Sequence, residues 1–392
     1  MASAPPQRIL VRGVNWLGDA VMSTPALQRL REAQPDARIT LLTPQKLHGI
    51  WLDHPALDAV LTFREDEGVW SIARSLRAEK FDLGLILANS PRSALEVWLA
   101  GIPQRVGYAR PWRSWMLTKR VGPRSGMVSM RKRSVAEIRN LIGKVPAPLP
   151  TSPPATAHHI HQYLHLTTAL GAKPELLPPR LVVSEEVTNR LIARLKLDPT
   201  QLWLGLNAGA EYGPAKRWPE DRFVEAAIQI QRRTKCRWLV FGLATEAETC
   251  LRIATNIYRA TEDDLGREET ARNPHVINLA GATNLRELCA ALKFCRALLT
   301  NDSGPMHVAA AVGTPVVVPF GSTSPELTGP GLPGDSRHTC LRAGVPCSPC
   351  FLRVCPIDFR CMTGVGVESV VNAIVKAVER KADTRDRGGN VA

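Results

Sequence analysis

"TNDSGPMHVAAAVGTPVVVPFGSTSPELTGP", residues 300–330, reads as the end of an apolar strand, a turn, a short helix over 305–312, an apolar strand over 314–321 and a polar loop. Asp302, Ser303 and Gly304 gather where the first strand ends, with His307 on the helix behind them. Gly321, Ser322, Thr323 and Ser324 gather where the second ends. Apolar strands separated by a helix predict a parallel sheet covered on both faces. In such sheets ligands sit beyond the carboxyl ends of the strands. This stretch therefore sets the fold class, α/β, and the edge where chemistry is expected.

The same alternation extends outward in both directions. Strands are expected at 202–207 (LWLGLN), 237–242 (RWLVFG), 275–281 and 296–301, with helices at 219–233, 245–258 and 284–293. An earlier series runs through strands 8–13 (RILVRG), 38–43 (RITLLT) and 83–88 (LGLILA), with a helix over 20–33. Pro-rich stretches at 145–154 and 173–179 separate the two series. Two doubly wound domains follow, 1–180 and 181–365, with a linker near 174–186. Residues 366–381 are expected to form a C-terminal helix packing back toward the N-terminal domain, and 382–392 a disordered tail.

A chain of 392 residues suits two domains of roughly 150–200 residues each. Its 44% hydrophobic and 22% charged content is that of a globular protein. No apolar run approaches the roughly 20 residues that span a bilayer. The opening MASAPPQRILVRG has no secretion-signal core, so the nine cysteines are expected reduced and cytoplasmic. Charge is uneven. Residues 1–180 hold 24 Lys+Arg against 13 Asp+Glu, whereas the remaining 212 hold 26 against 23. The densest part, RPWRSWMLTKRVGPRSGMVSMRKR (110–133), has eight basic residues, no acid, and interleaved Trp112 and Trp115. Read alone, it suits either a solvated face or a surface for an anionic, partly apolar partner, lipid or nucleic acid.

Three further motifs carry chemistry. VRGVNWLGDAVMSTPAL (11–27) passes from strand to helix without a G-x-G-x-x-G fingerprint and sets Asp19 at the helix start. An aspartate there caps a helix or, off a strand end, accepts a proton from a hydroxyl. LNAGAEYGPAKRWPEDRF (206–223) offers Gly209 and Gly213 as room for a ligand and Lys216 as a mobile cation against phosphate. Free amides at the helix start after Asp302 attract anions, as does a loop of hydroxyls and glycine. Cys347-x2-Cys350-x4-Cys355-x5-Cys361 has the density of a structural metal site.

Taken in order, NWLGDAVMSTPAL (15–27), GAEYGPAKRWP (209–219), FGLATEAE (241–248), NLAGATNL (278–285), NDSGPMHVAAAVGTPVVVPFGSTSPELT (301–328) and CSPCFLRVCPIDFRCM (347–362) resemble the ADP-heptose:lipopolysaccharide heptosyltransferases of glycosyltransferase family 9, most of all the type II enzymes. The resemblance spans nearly the whole chain. It implies a GT-B architecture, two Rossmann-like domains facing an interdomain cleft, and an inverting transfer without metal or other cofactor. It also implies Asp19 as general base and Lys216 as the cation that stabilises departing ADP. Asp302, Ser303, Gly304 and His307 match the family's donor-binding D-[ST]-G-x-x-H element. Glu211, Tyr212, Glu246, Thr283, Gly321, Ser322, Thr323 and Ser324 are further candidate donor contacts. Ser322 stands where the family's Gly-Pro-Ser-Ser loop has proline. Similar cysteines occur in the family without a required metal, so no metal is expected.

The donor so implied is ADP-L-glycero-D-manno-heptose. The acceptor is the anionic heptosyl-Kdo2-lipid A core at the inner face of the inner membrane, where the protein would be peripheral and bind no nucleic acid. Arg110, Trp112, Arg113, Trp115, Lys119, Arg120 and Arg124 become the expected acceptor- or membrane-facing set. The alternatives are a family member acting at another core position, a sugar-nucleotide epimerase on the same fold, and a basic nucleic-acid- or membrane-binding protein without transferase activity.

Overall fold

β1 (Arg8–Arg12) is buried along almost its whole length and hydrogen-bonds a parallel neighbour on each side, β2 (Arg38–Pro44) and β4 (Leu83–Ile86). A strand covered on both faces reads as a continuous apolar run, which is why RILVR and LGLI were legible. The computed structural model describes residues 7–143, 152–264 and 274–387. Its contacts divide the chain into two units, Met1–Met127 with Thr156–Val182, and Val128–Ala155 with Val183–Ala392.

The first unit's sheet has the order β3-β2-β1-β4-β5-β6, where β3 is Ala59–Phe63, β5 Gln104–Tyr108 and β6 Lys119–Val121; every pairing is parallel. Strand order reverses between β1 and β4, so the loops leaving these two strands part and open a crevice at their carboxyl ends. The helix expected over 20–33 is two, Leu17–Met22 and Thr24–Ala33, broken at Ser23. Pro25 explains the break, because its missing N–H is tolerated only in a first turn.

At this crevice Arg12 ends β1 and Glu96 sits on helix Pro91–Leu99. Their side chains are 2% and 0% exposed and meet at 2.7 Å. The same guanidinium donates to the Gly13 carbonyl at 2.7 Å and to Asn15 Oδ1 at 3.0 Å, and it covers the Phe63 ring 4.5 Å from its centroid. A buried, salt-bridged cation thus pins the loop that leads to Asp19.

The second unit repeats the plan. Its sheet runs β12-β11-β10-β7-β8-β9, with β7 Trp203–Asn207, β8 Arg237–Phe241, β9 Val276–Asn278, β10 Leu298–Thr300, β11 Val316–Pro319 and β12 Thr339–Leu341. Relative to its own first strand the order is the same, and the reversal falls between β7 and β10. The C-terminal helix, Val367–Arg387, extends past the expected end, and residues 388–392 of the expected tail lie outside the described residues. It buries Val370, Val371, Ile374 and Ala377 with Trp218, Phe223 and Ile230, in the core of the second unit itself. Helix Val135–Gly143, numbered with the first domain in the sequence reading, places Ile138 against Cys347 and Cys350 of the second unit.

Replacing Glu96 by Gln leaves Arg12 buried without a counter-charge, a defect that costs about 3–5 kcal/mol. The urea midpoint of Glu96→Gln should fall accordingly, and an unchanged midpoint would show that the pair does not carry this crevice.

Candidate functional site

Three adjacent strands of the second sheet, β7, β10 and β11, deliver their carboxyl-end loops to one carboxylate. Lys216, from the loop after β7, places Nζ 2.6 Å from Asp302 Oδ2, which follows β10. The Thr323 hydroxyl, from the loop after β11, donates to the same oxygen. Asp302 is 4% exposed and Lys216 14%, so the pair is shielded yet its cation is reachable. The ammonium also lies 4.9 Å from the Tyr212 ring centroid, and Arg353 covers that ring at 5.3 Å. An ammonium has three donors, and Asp302 engages one side of it.

Two asparagines hold these loops in register. Asn301, fully buried, donates to the Ala208 carbonyl at 2.6 Å and accepts from the Trp218 amide at 2.9 Å. Asn207, at the end of β7, donates to the Thr300 and Ser303 hydroxyls at 3.0 and 3.1 Å. Ser303 is the N-cap of helix Gly304–Ala311 but makes no side-chain cap bond. Its hydroxyl is turned to Asn207; Pro305 has no N–H and the Met306 amide donates to the Ser303 carbonyl at 3.2 Å, which leaves the Gly304 amide at the helix start to meet an anion. His307 is buried on this helix.

The glycines serve a different purpose from the one expected. A Cβ on Gly209 would fall 2.3 Å from the Glu246 carboxylate, and one on Gly213 (φ 144°) would fall 2.6 Å from the Arg353 carbonyl. The space is filled by the protein's own loops. Gly321 similarly admits Met362 Sδ. Glu246 accepts the Leu243 amide at 3.0 Å and lies 3.7 Å from Arg217. Among the serines, Ser324 donates to Glu326 at 2.6 Å, while the buried Ser322 hydroxyl has no partner among the described residues. Glu211 is exposed on the Lys216 loop. Thr283 lies after β9, two strands from β7, and is not drawn into the Asp302 cluster.

In the first unit Asp19 is the third residue of helix Leu17–Met22, whose N-cap is Trp16, so it does not cap the helix. Tyr163 donates its hydroxyl to Asp19 Oδ1 at 2.9 Å, and His159 Nδ1 lies 3.5 Å from the same oxygen. The two rings stack with centroids 5.2 Å apart. Burial, and then the Asp19 charge, pushes the Tyr163 phenol well above its usual range, so it remains a protonated donor. Sequence reasoning missed Tyr163, His159, Asn301, Asn207 and Arg353. The one available signal was AHHIHQYLHL (157–166), where histidines crowd a single helix.

Of the expected outward-facing basic set, Trp112 is 85% exposed and Trp115 packs edge-on against Trp98 at 5.2 Å. Lys119 bonds the Ala169 carbonyl, Arg120 the Ser114 carbonyl and Arg124 the Thr156 carbonyl; Arg110 is half-buried. Arg113 is a correction. It is fully buried, donates to the Ala88 carbonyl at 2.6 Å, and lies where a Cβ on Gly107 would meet it at 2.9 Å. Burial lowers its guanidinium to about 10.

Cys347, Cys350, Cys355 and Cys361 line one small pocket with Ile138 and Pro356. Burial raises the Cys347, Cys350 and Cys361 thiols, the last to about 12. Among the described residues no group of three or more cysteine, histidine or acidic side chains is arranged to hold a metal ion.

Known proteins share this plan of two parallel sheets. Residues 69–359 match glycosyltransferase family 9 (heptosyltransferase). Lipopolysaccharide heptosyltransferase 2 of Escherichia coli K12 is 30% identical over 336 residues, covering 82% of this chain and 85% of that protein. Lipooligosaccharide heptosyltransferase 2 of Haemophilus influenzae is 28% identical over the same shares. The solved structure of E. coli ADP-heptose lps heptosyltransferase II superposes with a TM-score of 0.73 at 26% identity, covering 96% of this chain and 99% of that one. With two parallel six-stranded sheets of the GT-B type and a family match across most of its length, the chain belongs to glycosyltransferase family 9, the heptosyltransferases.

Proposed function

We propose that this glycosyltransferase moves L-glycero-D-manno-heptose from ADP-heptose to the heptosyl-Kdo2-lipid A inner core of lipopolysaccharide. The observation that carries the reading is the Lys216–Asp302 pair at the point where the second sheet's strand order reverses, set in a chain similar to type II heptosyltransferases. Breaking the bond between an anomeric carbon and ADP leaves negative charge on phosphate. Lys216 and the Gly304 amide at the start of helix Gly304–Ala311 oppose that charge as it develops. The acceptor hydroxyl must lose its proton as it attacks, and Asp19 takes it. Asp19 and Lys216 thereby supply the base and the counter-charge that the reaction needs.

Acceptors of defined core length test this directly. ADP release is expected with an acceptor carrying the first heptose and not with Kdo2-lipid A alone; release with the shorter acceptor would move the enzyme to another core position. Asp19→Ala should lower kcat by roughly 10²–10³-fold while still binding donor. Full turnover by that variant removes the base assignment. Lys216→Ala should lose a similar factor, about 10²–10³-fold. Its melting temperature should also drop, because Asp302 is left shielded without its cation.

The acceptor's anionic lipid gives the basic stretch 110–133 its partner. Exposed Trp112 and Trp115, with Arg110 and Arg120 beside them in the chain, would meet headgroups at the inner face of the membrane. No helix among the described residues is long and apolar enough to cross a membrane. Binding to vesicles containing anionic lipid should weaken as salt rises from about 0.05 to 0.5 M, as screening requires. Binding that ignores ionic strength would remove the electrostatic part of this reading.

A further inference from the structure

The base assigned above is not alone. Both side-chain contacts of Asp19 fall on one oxygen, Oδ1, where Tyr163 donates its hydroxyl at 2.9 Å and His159 Nδ1 stands at 3.5 Å. The other oxygen, Oδ2, has no partner among the described residues. Asp19 sits in the first turn of a short helix, with its side chain 26% exposed. A carboxylate so placed is free to spin about its last torsion unless something holds it.

We propose that Tyr163 and His159 are positioning residues that clamp Asp19 by Oδ1, so that Oδ2 is the atom presented to the acceptor hydroxyl. The inference rests on the reading of Asp19 as general base. Three features of the first unit support it. Tyr163 is itself immobile, being buried on helix Ile160–Thr168, which packs against helix Thr24–Ala33 immediately after Asp19's own. Its phenol stays protonated, so it always donates and never competes for the substrate's proton. His159 is stacked on Tyr163 rather than free in solvent, which fixes the imidazole edge toward the carboxylate.

The proton path is then complete in atoms. The acceptor hydroxyl's proton passes to Asp19 Oδ2 while its oxygen forms the new bond to the anomeric carbon, and the bond to the ADP phosphate breaks with its electron pair. The Tyr163 proton stays on its oxygen throughout. Misplacing a reacting group by about 1 Å costs on the order of 10²-fold, so loosening the clamp should appear in kcat and leave substrate binding alone.

The experiment is a set of paired variants measured with ADP-heptose and the lipid acceptor. Tyr163→Phe, which removes only the hydroxyl, should lower kcat by roughly 10–100-fold with KM for both substrates nearly unchanged. His159→Ala should cost less, and His159→Asn, whose amide can donate from the Nδ1 position, should restore most of it. Each change should have no further effect in an Asp19→Ala background, because residues acting through one group are not additive. A Tyr163→Phe loss that persists undiminished in Asp19→Ala would overturn the clamp and make Tyr163 merely structural, as would wild-type kcat in Tyr163→Phe. Failure of the underlying reading looks different, since Asp19→Ala alone would then turn over normally.

Discussion

The Oδ2 atom of Asp302 receives the Lys216 ammonium at 2.6 Å and the Thr323 hydroxyl as well, and much of the second unit's ligand edge is organised around that oxygen. Loops from three neighbouring strands converge there. The carboxylate is nearly sealed from water, so its charge must be met by a cation and a donor if the edge is to persist. That need fixes Lys216 in advance of any ligand. Asn301 and Asn207 do the complementary work with neutral groups, satisfying the backbone where β7 and β10 separate. An anion arriving at this edge would therefore find donors already aimed and would not have to order them.

The first unit carries its own ion pair at the corresponding place, and the contrast between the two is instructive. Arg12 and Glu96 are sealed at 2% and 0% exposure, whereas Lys216 retains 14%. A sealed pair is scaffold: it holds the Gly13–Asn15 loop and so the entry into Asp19's helix. A pair with an accessible cation can trade part of its partnership for a ligand. Two sheets of one strand order thus place charge at the same topological point and use it differently.

Most of the sheet scaffold was legible because β1, β2, β4, β7, β8, β10 and β11 are buried on both faces and announce themselves as apolar runs. The strands that escaped notice were β3, β5, β6 and β12. QRVGY opens on polar residues, and β3, β6 and β12 are edge strands, which need bury only part of their length. Asp302 and Lys216 stood out because acid, hydroxyl and glycine at strand ends are uncommon enough to signify a site. Tyr163 could not be found this way. It lies 144 residues from Asp19, and a tyrosine within an apolar helical pattern reads as core. The glycines misled for a related reason. Sequence shows that a Cβ is excluded but not what excludes it, and at positions 209 and 213 it is the protein's own Glu246 and Arg353.

By contacts, the chain passes from one unit to the other after Met127, Ala155 and Val182. Severing it once near residue 182 therefore does not yield two self-sufficient halves. A fragment beginning there would lack Ile138, which packs on Cys347 and Cys350, and Arg133, whose amide bonds the Cys350 carbonyl at 3.0 Å. Thiols that are quiet in the intact protein would then face solvent and oxidant, and dissecting this enzyme calls for grafting residues 128–155 onto the carboxyl-terminal piece.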